Sequence, residues 1–162
     1  TAKNISRQTI YTCLNAQINA ANIGYHTMNN YKGIDCAIIN ETELRHELRD
    51  RESSVGTLMK QLTKRQRAKN LVVTQGSGGA TLYNSETGKY HHCPAFAAKV
   101  IDKIGAGDAM LALLSCSLKN SFAVDLSLFM GSLAAAQSVE TIGNSTPVNK
   151  LQLLKTFSHI IK

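Results

Sequence analysis

The sequence predicts an α/β fold of three layers, with a mostly parallel sheet flanked by helices. Short apolar runs, partly β-branched, alternate along the chain with segments whose apolar residues recur at helical spacing. Glycine-rich turns follow two of the extended runs, and in folds of this class ligand loops sit at the carboxyl ends of the strands.

Residues 9–14 and 34–39 are the first two extended runs, rich in Ile, Thr and Cys as expected for buried strands that join a parallel sheet. Residues 15–31 between them are rich in Asn and Ala with a single Gly24, and residues 28–31 are expected to form a short helical turn. Residues 42–52 are polar with Leu44 and Leu48 at helical spacing. Ser53 is placed to cap a second helix carrying Val55, Leu58, Met59 and Leu62, and both helices should pack on one sheet face. Residues 71–73 form the next buried strand and residues 79–83 a further extended run. Residues 84–88 read as a hairpin turn before residues 89–92, so the parallel core gives way to an antiparallel edge. Residues 96–101 are expected to be a last extended segment. Residues 109–118, 126–140 and 151–161 carry helical patterns, and no internal repeat or low-complexity tract is present.

At 162 residues the chain is one domain's worth, enough to bury a core. With 43% hydrophobic and 18% charged residues it is globular rather than disordered, and two prolines leave no room for a long extended linker. No apolar run approaches the roughly 20 residues that span a bilayer. The amino-terminal residues have no signal-like apolar stretch, so a soluble, cytoplasmic protein without membrane partners is expected. Cys13, Cys36, Cys93 and Cys116 are widely spaced, mostly in apolar runs, which fits buried reduced thiols. The net charge is +7, with its densest basic run at Lys60, Lys64, Arg65, Arg67 and Lys69. No aromatic residue interleaves that run, so a solvated helix face is expected and nucleic acid is not.

The chemistry concentrates in residues 102–108, Asp-Lys-Ile-Gly-Ala-Gly-Asp, which run straight into a helical pattern. Gly105 and Gly107 let the backbone approach a ligand, and the following helix turns its unpaired N–H groups and positive dipole end toward that point. Asp108 beside such an anion hole makes sense as a base that takes a proton from an attacking hydroxyl during phosphoryl transfer. Taken alone, the same run could be a turn with an Asp cap. There is no G-x-x-x-x-G-K-[ST], which excludes a P-loop enzyme. His91, His92 and Cys93 alternate across a strand and read as an exposed hairpin rather than a metal site. Cys116 is given a packing role.

Gly105, Ala106, Gly107 and Asp108 match the carboxyl-terminal signature of the ribokinase-like (PfkB) carbohydrate kinases in full. In the same order stand Asn40 and Glu43, an Asn-x-x-Glu pair that the family uses near magnesium and phosphate. Then come Thr74, Gly76 and Gly79, similar to its Thr-x-Gly-x-x-Gly turn against the nucleotide. Ala134, Ala135 and Ala136, with Gly143 and Pro147, resemble its closing helix and the loop over the adenine.

The resemblance implies a ribokinase-like fold and a sugar kinase using ATP and Mg²⁺. Asp108 would be the base, with the Gly105, Ala106 and Gly107 amides as anion hole. Thr74, Gly76, Gly79, Ala135 and Gly143 would bind nucleotide, and Asn40 and Glu43 would hold Mg²⁺ directly or through water. Asp102 would serve a monovalent cation, K⁺. Lys103 stands where the family often has Thr or Ser, so a hydroxyl contact is lost there.

Family members have about twice this length, and the sugar-binding half, the lid and several strands have no counterpart here. Residues 1–162 are therefore expected to be the carboxyl-terminal portion of one kinase domain, truncated to its nucleotide half and inactive alone. Self-association or a missing amino-terminal half would cover the sheet edge. Residues 14–22, with residues 102–108, resemble the heptose-phosphate kinases, some of which are joined to a nucleotidyltransferase. The competing expectation is a non-catalytic nucleotide-binding or assembly module on the same fold.

Overall fold

A computed structural model describes residues 10–15, 28–143 and 145–160. The chain divides into two compact units, Thr1–His92 and Cys93–Lys162.

The first unit is built on a five-stranded sheet in the order β1-β2-β3-β4-β5. Its strands are β1 (Cys13–Asn15), β2 (Cys36–Asn40), β3 (Asn70–Thr74), β4 (Ala80–Asn84) and β5 (Tyr90–Cys93). The pairs β1–β2 and β2–β3 are parallel, and β3–β4 is antiparallel. The expected switch from parallel core to antiparallel edge therefore falls after Thr74. Because side chains alternate across a strand, Ala37, Ile39, Leu71 and Val73 share one face. There they meet Leu44 and Leu48 of α1 (Glu41–Leu48) and Leu58, Met59 and Leu62 of α2 (Val55–Gln66) in one buried cluster. Each fully buried Leu, Ile or Met there contributes about 1.5–3 kcal/mol. Both helices thus pack on one sheet face, as the spacing predicts.

Several boundaries differ from expectation, each for a local reason. Regular pairing in the first strand begins at Cys13, although Thr12 already exchanges bonds with the next strand. Its N–H donates to Asp35 Oδ2 (2.9 Å) and its carbonyl accepts from the Asp35 and Cys36 amides. Helix α1 stops at Leu48 because Arg49 adopts a left-handed conformation, φ 54°, and its N–H turns back to the Arg45 and His46 carbonyls. Ser54, not Ser53, caps α2: Ser54 Oγ accepts from the Thr57 amide at 3.2 Å. The Ser53 amide is already given to Asp50 Oδ1 at 2.9 Å. A 3₁₀ turn forms at Met28–Asn30 as expected, whereas residues 16–27 lie outside the described residues.

The second unit is helical, with α3 (Ala106–Lys119), α4 (Val124–Val139) and α5 (Lys150–Ile160). Helices α3 and α4 pair closely. Gly131 makes the approach possible, since a Cβ there would stand 3.1 Å from Leu114 Cβ and 3.2 Å from the Met110 carbonyl oxygen. The Phe96 and Phe129 rings meet edge-on at 5.2 Å, and Phe129 reaches Phe157 at 5.7 Å, tying α5 and the entering segment to α4. Residues 96–101 form no strand. Their end is held by the Val139 carbonyl, which accepts from the Ile101 and Asp102 amides (2.8 and 3.1 Å). Cys116 is exposed on α3, which corrects the expected packing role; Cys36 and Cys93 are buried free thiols. Among the described residues no helix is long and apolar enough to cross a membrane.

Candidate active site

The expected site residues fall in both units, and each group has its own geometry. In the first unit, Asn40 and Thr74 end adjacent parallel strands and stand directly opposite one another in register. Strand order alone therefore brings the Asn-x-x-Glu and Thr-x-Gly turns together at the sheet's carboxyl end. The Asn-x-x-Glu pair is a reciprocal cap of α1. Asn40 Oδ1 accepts from the Glu43 amide (2.8 Å), and Glu43 Oε2 accepts from the Asn40 amide (3.0 Å). This fixes both side chains at the helix start, where the dipole also favours a carboxylate.

The turn after β3 is compact. Gly76 opens a 3₁₀ turn at φ 58° and Gly79 closes it at φ 83°, conformations that disfavour any side chain. Gln75 N–H donates to the Gly79 carbonyl at 2.8 Å. Added bulk at Gly76 would meet nothing within 4 Å, so its backbone faces open space.

Sequence reasoning passed over the side chains that join these two turns. Glu41 Oε2 accepts from Gln75 Nε2 (2.9 Å), while Glu41 Oε1 accepts from Arg45 Nε and Nη2 (3.0 and 2.8 Å). Arg45 in turn donates to the Arg51 and Ser53 carbonyls. The Gln75 amide, and then the Arg45 guanidinium, hold the Glu41 carboxyl below the usual carboxylate range. The i,i+4 Glu41–Arg45 spacing was a visible signal for half of this link; its Gln75 half joins residues 34 apart and had none.

In the second unit Gly105 is the cap residue of α3 at φ 79°, and the helix begins at Ala106 rather than at the expected residue 109. Ala106, Gly107 and Asp108 therefore occupy the first helical turn, whose amides have no intrahelical acceptor. The turn carries an exposed carboxylate, Asp108.

Asp102 is the tie in front of it. Its Oδ1 accepts from the Ile104 amide (3.0 Å) and its Oδ2 from the Gly143 amide (2.9 Å). Those two bonds, the Ile104 one foremost, hold its carboxyl below the ordinary range. The structure thus joins Asp102, the Gly105 turn and Gly143, itself at φ 57°. Ala135 lies half-buried one turn before Val139, whose carbonyl anchors the Asp102 segment.

A cleft of about 680 Å³ along α1 is lined by Thr42, Arg45, His46, Arg49 and Arg51, and none of the expected site residues lines it. Among the described residues no group of three or more His, Cys, Asp or Glu is gathered to hold a metal.

Residues 6–151 match the pfkB family carbohydrate kinases. The chain belongs to that family. It is 31% identical over 121 residues to a bifunctional protein HldE of Azorhizobium caulinodans, a match covering 74% of this chain and 25% of that protein. The fold is that of the ribokinase-like kinases. It superposes on phosphofructokinase-2 from Escherichia coli in complex with potassium with a TM-score of 0.78 at 16% identity, covering 99% of this chain and 51% of that one. For an Arabidopsis thaliana ribokinase complexed with ribose and ATP the TM-score is 0.75 at 24% identity, covering 95% and 50%. The chain thus spans about half the length of these solved kinases and a quarter of the bifunctional relative.

Proposed function

We propose that this chain supplies the nucleotide site, anion hole and catalytic base for ATP-dependent transfer of a phosphoryl group to a hydroxyl of a sugar or sugar phosphate. The observation that carries the reading is the Gly105 turn. A left-handed glycine caps α3 so that three first-turn amides and Asp108 stand together, and Asp102 pins that turn to the Gly143 loop. Asp108 takes the proton of the sugar hydroxyl, the freed oxygen attacks the γ-phosphorus, and ADP leaves with the electrons of the broken P–O bond. The Gly105, Ala106 and Gly107 amides hold the charge that develops. Thr74, Gly76, Gly79, Ala135 and Gly143 seat the nucleotide.

The donor set suits magnesium better than a dedicated metal cage. Mg²⁺ keeps its waters and takes one or two carboxylates plus substrate phosphates, and the capped Asn40–Glu43 turn offers one such carboxylate. When bound it neutralises phosphate charge. Asp102 is assigned to a K⁺ site by resemblance, and a potassium complex of phosphofructokinase-2 supports asking for that dependence. The match to bifunctional HldE proteins supports a sugar phosphate of the heptose-phosphate class as acceptor. Residues 1–162 are read as the carboxyl-terminal portion of the kinase domain, acting in the cytoplasm and completed by a second copy or an amino-terminal half.

Because the chain spans about half of the solved kinases, a non-catalytic nucleotide-binding module is the second reading. Two measurements decide. Calorimetry of this chain with Mg-ATP should show binding near the millimolar range, about −4 kcal/mol. A coupled ADP-release assay of the whole protein on sugars and sugar phosphates should show turnover that Asp108→Asn abolishes. Turnover that survives Asp108→Asn overturns the assigned base, and binding without any turnover by the whole protein establishes the module.

A further inference from the structure

Gly76, Gly78 and Gly79 have no side chains, so the turn after β3 is held by its own backbone and by what Gln75 and Ser77 reach. Gln75 takes part in both kinds of contact. Its N–H donates to the Gly79 carbonyl (2.8 Å) and its carbonyl accepts from the Gly78 amide (3.0 Å), which closes the turn. Its side-chain amide is engaged at both ends. Nε2 donates to Glu41 Oε2 at 2.9 Å, and Oε1 accepts a longer bond from Thr81 Oγ1 at 3.4 Å. The half-buried Gln75 side chain thereby ties the turn to the start of α1 on one side and to β4 on the other.

Glu41 is itself fixed from behind. Its Oε1 accepts from Arg45 Nε and Nη2 (3.0 and 2.8 Å), and Arg45 Nη1 donates to the Arg51 and Ser53 carbonyls (3.1 and 3.0 Å). Both oxygens of Glu41 are therefore committed to protein donors. The helix dipole favours a carboxylate at this position without any such partner, so the Gln75 bond is not explained by capping. It extends the sheet register by one residue: Asn40 and Thr74 are partners, and the residues that follow them are bonded through their side chains. A hydrogen bond to a carboxylate is also stronger than one between neutral groups.

The anchor matters because of what it holds. Glycines have the most backbone freedom to lose, and this turn is built on Gly76 at φ 58° and Gly79 at φ 83°. A ligand that had to order such a turn would bind more weakly than one meeting it already ordered.

Resting on the reading of this turn as a nucleotide contact, we propose that Gln75 and Glu41 are positioning residues. Their bond holds the Gly76–Gly79 turn in its binding conformation before the nucleotide arrives, and both act through the turn rather than on the reacting atoms.

Calorimetry of the whole protein with Mg-ADP tests this in four forms: native, Gln75→Met, Glu41→Ala and the double variant. Gln75→Met keeps the reach of the side chain and removes both polar ends, so the dissociation constant should rise roughly fivefold. Once Glu41→Ala has removed the acceptor, the same change should raise it by less than about twofold. The cycle cancels what each substitution does alone, the loss of the Glu41 charge included, and a general loss of stability does not produce it. Without nucleotide, amide hydrogen exchange at Gly78 and Gly79 should quicken in Gln75→Met. Thermal melting confirms that each variant is folded, and Gln75→Asn, one methylene shorter, replaces Gln75→Met if that variant is not. An unchanged dissociation constant in Gln75→Met, or equal weakening with and without Glu41, overturns the proposal and leaves the nucleotide reading standing. A native protein that does not bind Mg-ADP overturns that reading and the positioning role with it.

Discussion

The Asn40–Glu43 turn caps α1, and substitution can separate that role from the proposed one toward magnesium. As a cap it satisfies two amides at the start of α1, and losing an Asn cap costs about 0.5–2 kcal/mol. Asn40→Ala leaves the Glu43 amide without its acceptor, so unfolding stability should fall by about 1 kcal/mol. For a chain of this size that lowers the melting temperature by roughly 2–4 °C. Glu43→Gln is different. Glutamine completes the same reciprocal cap through its amide oxygen, so stability should move by less than about 0.5 kcal/mol. The carboxylate is nevertheless gone. If Glu43 serves magnesium, this variant of the whole protein needs more Mg²⁺ for half-maximal turnover, while Asn40→Asp, which keeps both cap and donor, does not. Urea unfolding of the chain and a magnesium titration of turnover are the two assays. A Glu43→Gln variant as destabilised as Glu43→Ala refutes the cap argument, and an unchanged magnesium titration refutes the metal role.

Asp108→Asn in the whole protein should lower turnover by about 10²-fold or more while nucleotide affinity is kept, measured by coupled assay and calorimetry. Gly105→Ala forces a side chain into φ 79°, which costs about 1–2 kcal/mol in chain stability by urea unfolding. A neutral result there would show that the turn relaxes. Gly131→Ala gains about 1 kcal/mol of helix propensity but drives a Cβ to 3.1–3.2 Å from Leu114 and Met110, so net destabilisation by about 1 kcal/mol is expected in the same assay. Asp102 has a lowered folded-state pKa, so its contribution is present above the ordinary carboxylate range near pH 4 and is lost as pH falls through the lower folded value. The melting temperatures of the chain and of Asp102→Asn should differ at pH 7 and converge toward pH 3; a constant gap would show that the Ile104 and Gly143 bonds do not depend on the charge.

By itself the sequence determined the order of the strands and main helices, apart from the extended segment expected over residues 96–101. Alternating apolar runs place Ala37, Ile39, Leu71 and Val73 on one face, and Leu58, Met59 and Leu62 follow helical spacing, because burial obeys the period of the backbone that carries it. The residues 105–108, 40–43 and 74–79 were legible because glycines at positive φ and an Asn-x-x-Glu cap are local requirements of the chain. What joins them was not legible. The Asn40–Thr74 register, the Gln75–Glu41 bond and the Asp102–Gly143 bond each link residues 34 or more apart. Only the closed tertiary structure chooses such partners, since many side chains of the same type compete for them until packing leaves one within reach. The same reason explains how the segment before α3 ends: the Val139 carbonyl takes the Ile101 and Asp102 amides, and a backbone donor spent on one partner is withdrawn from every other structure it could have joined.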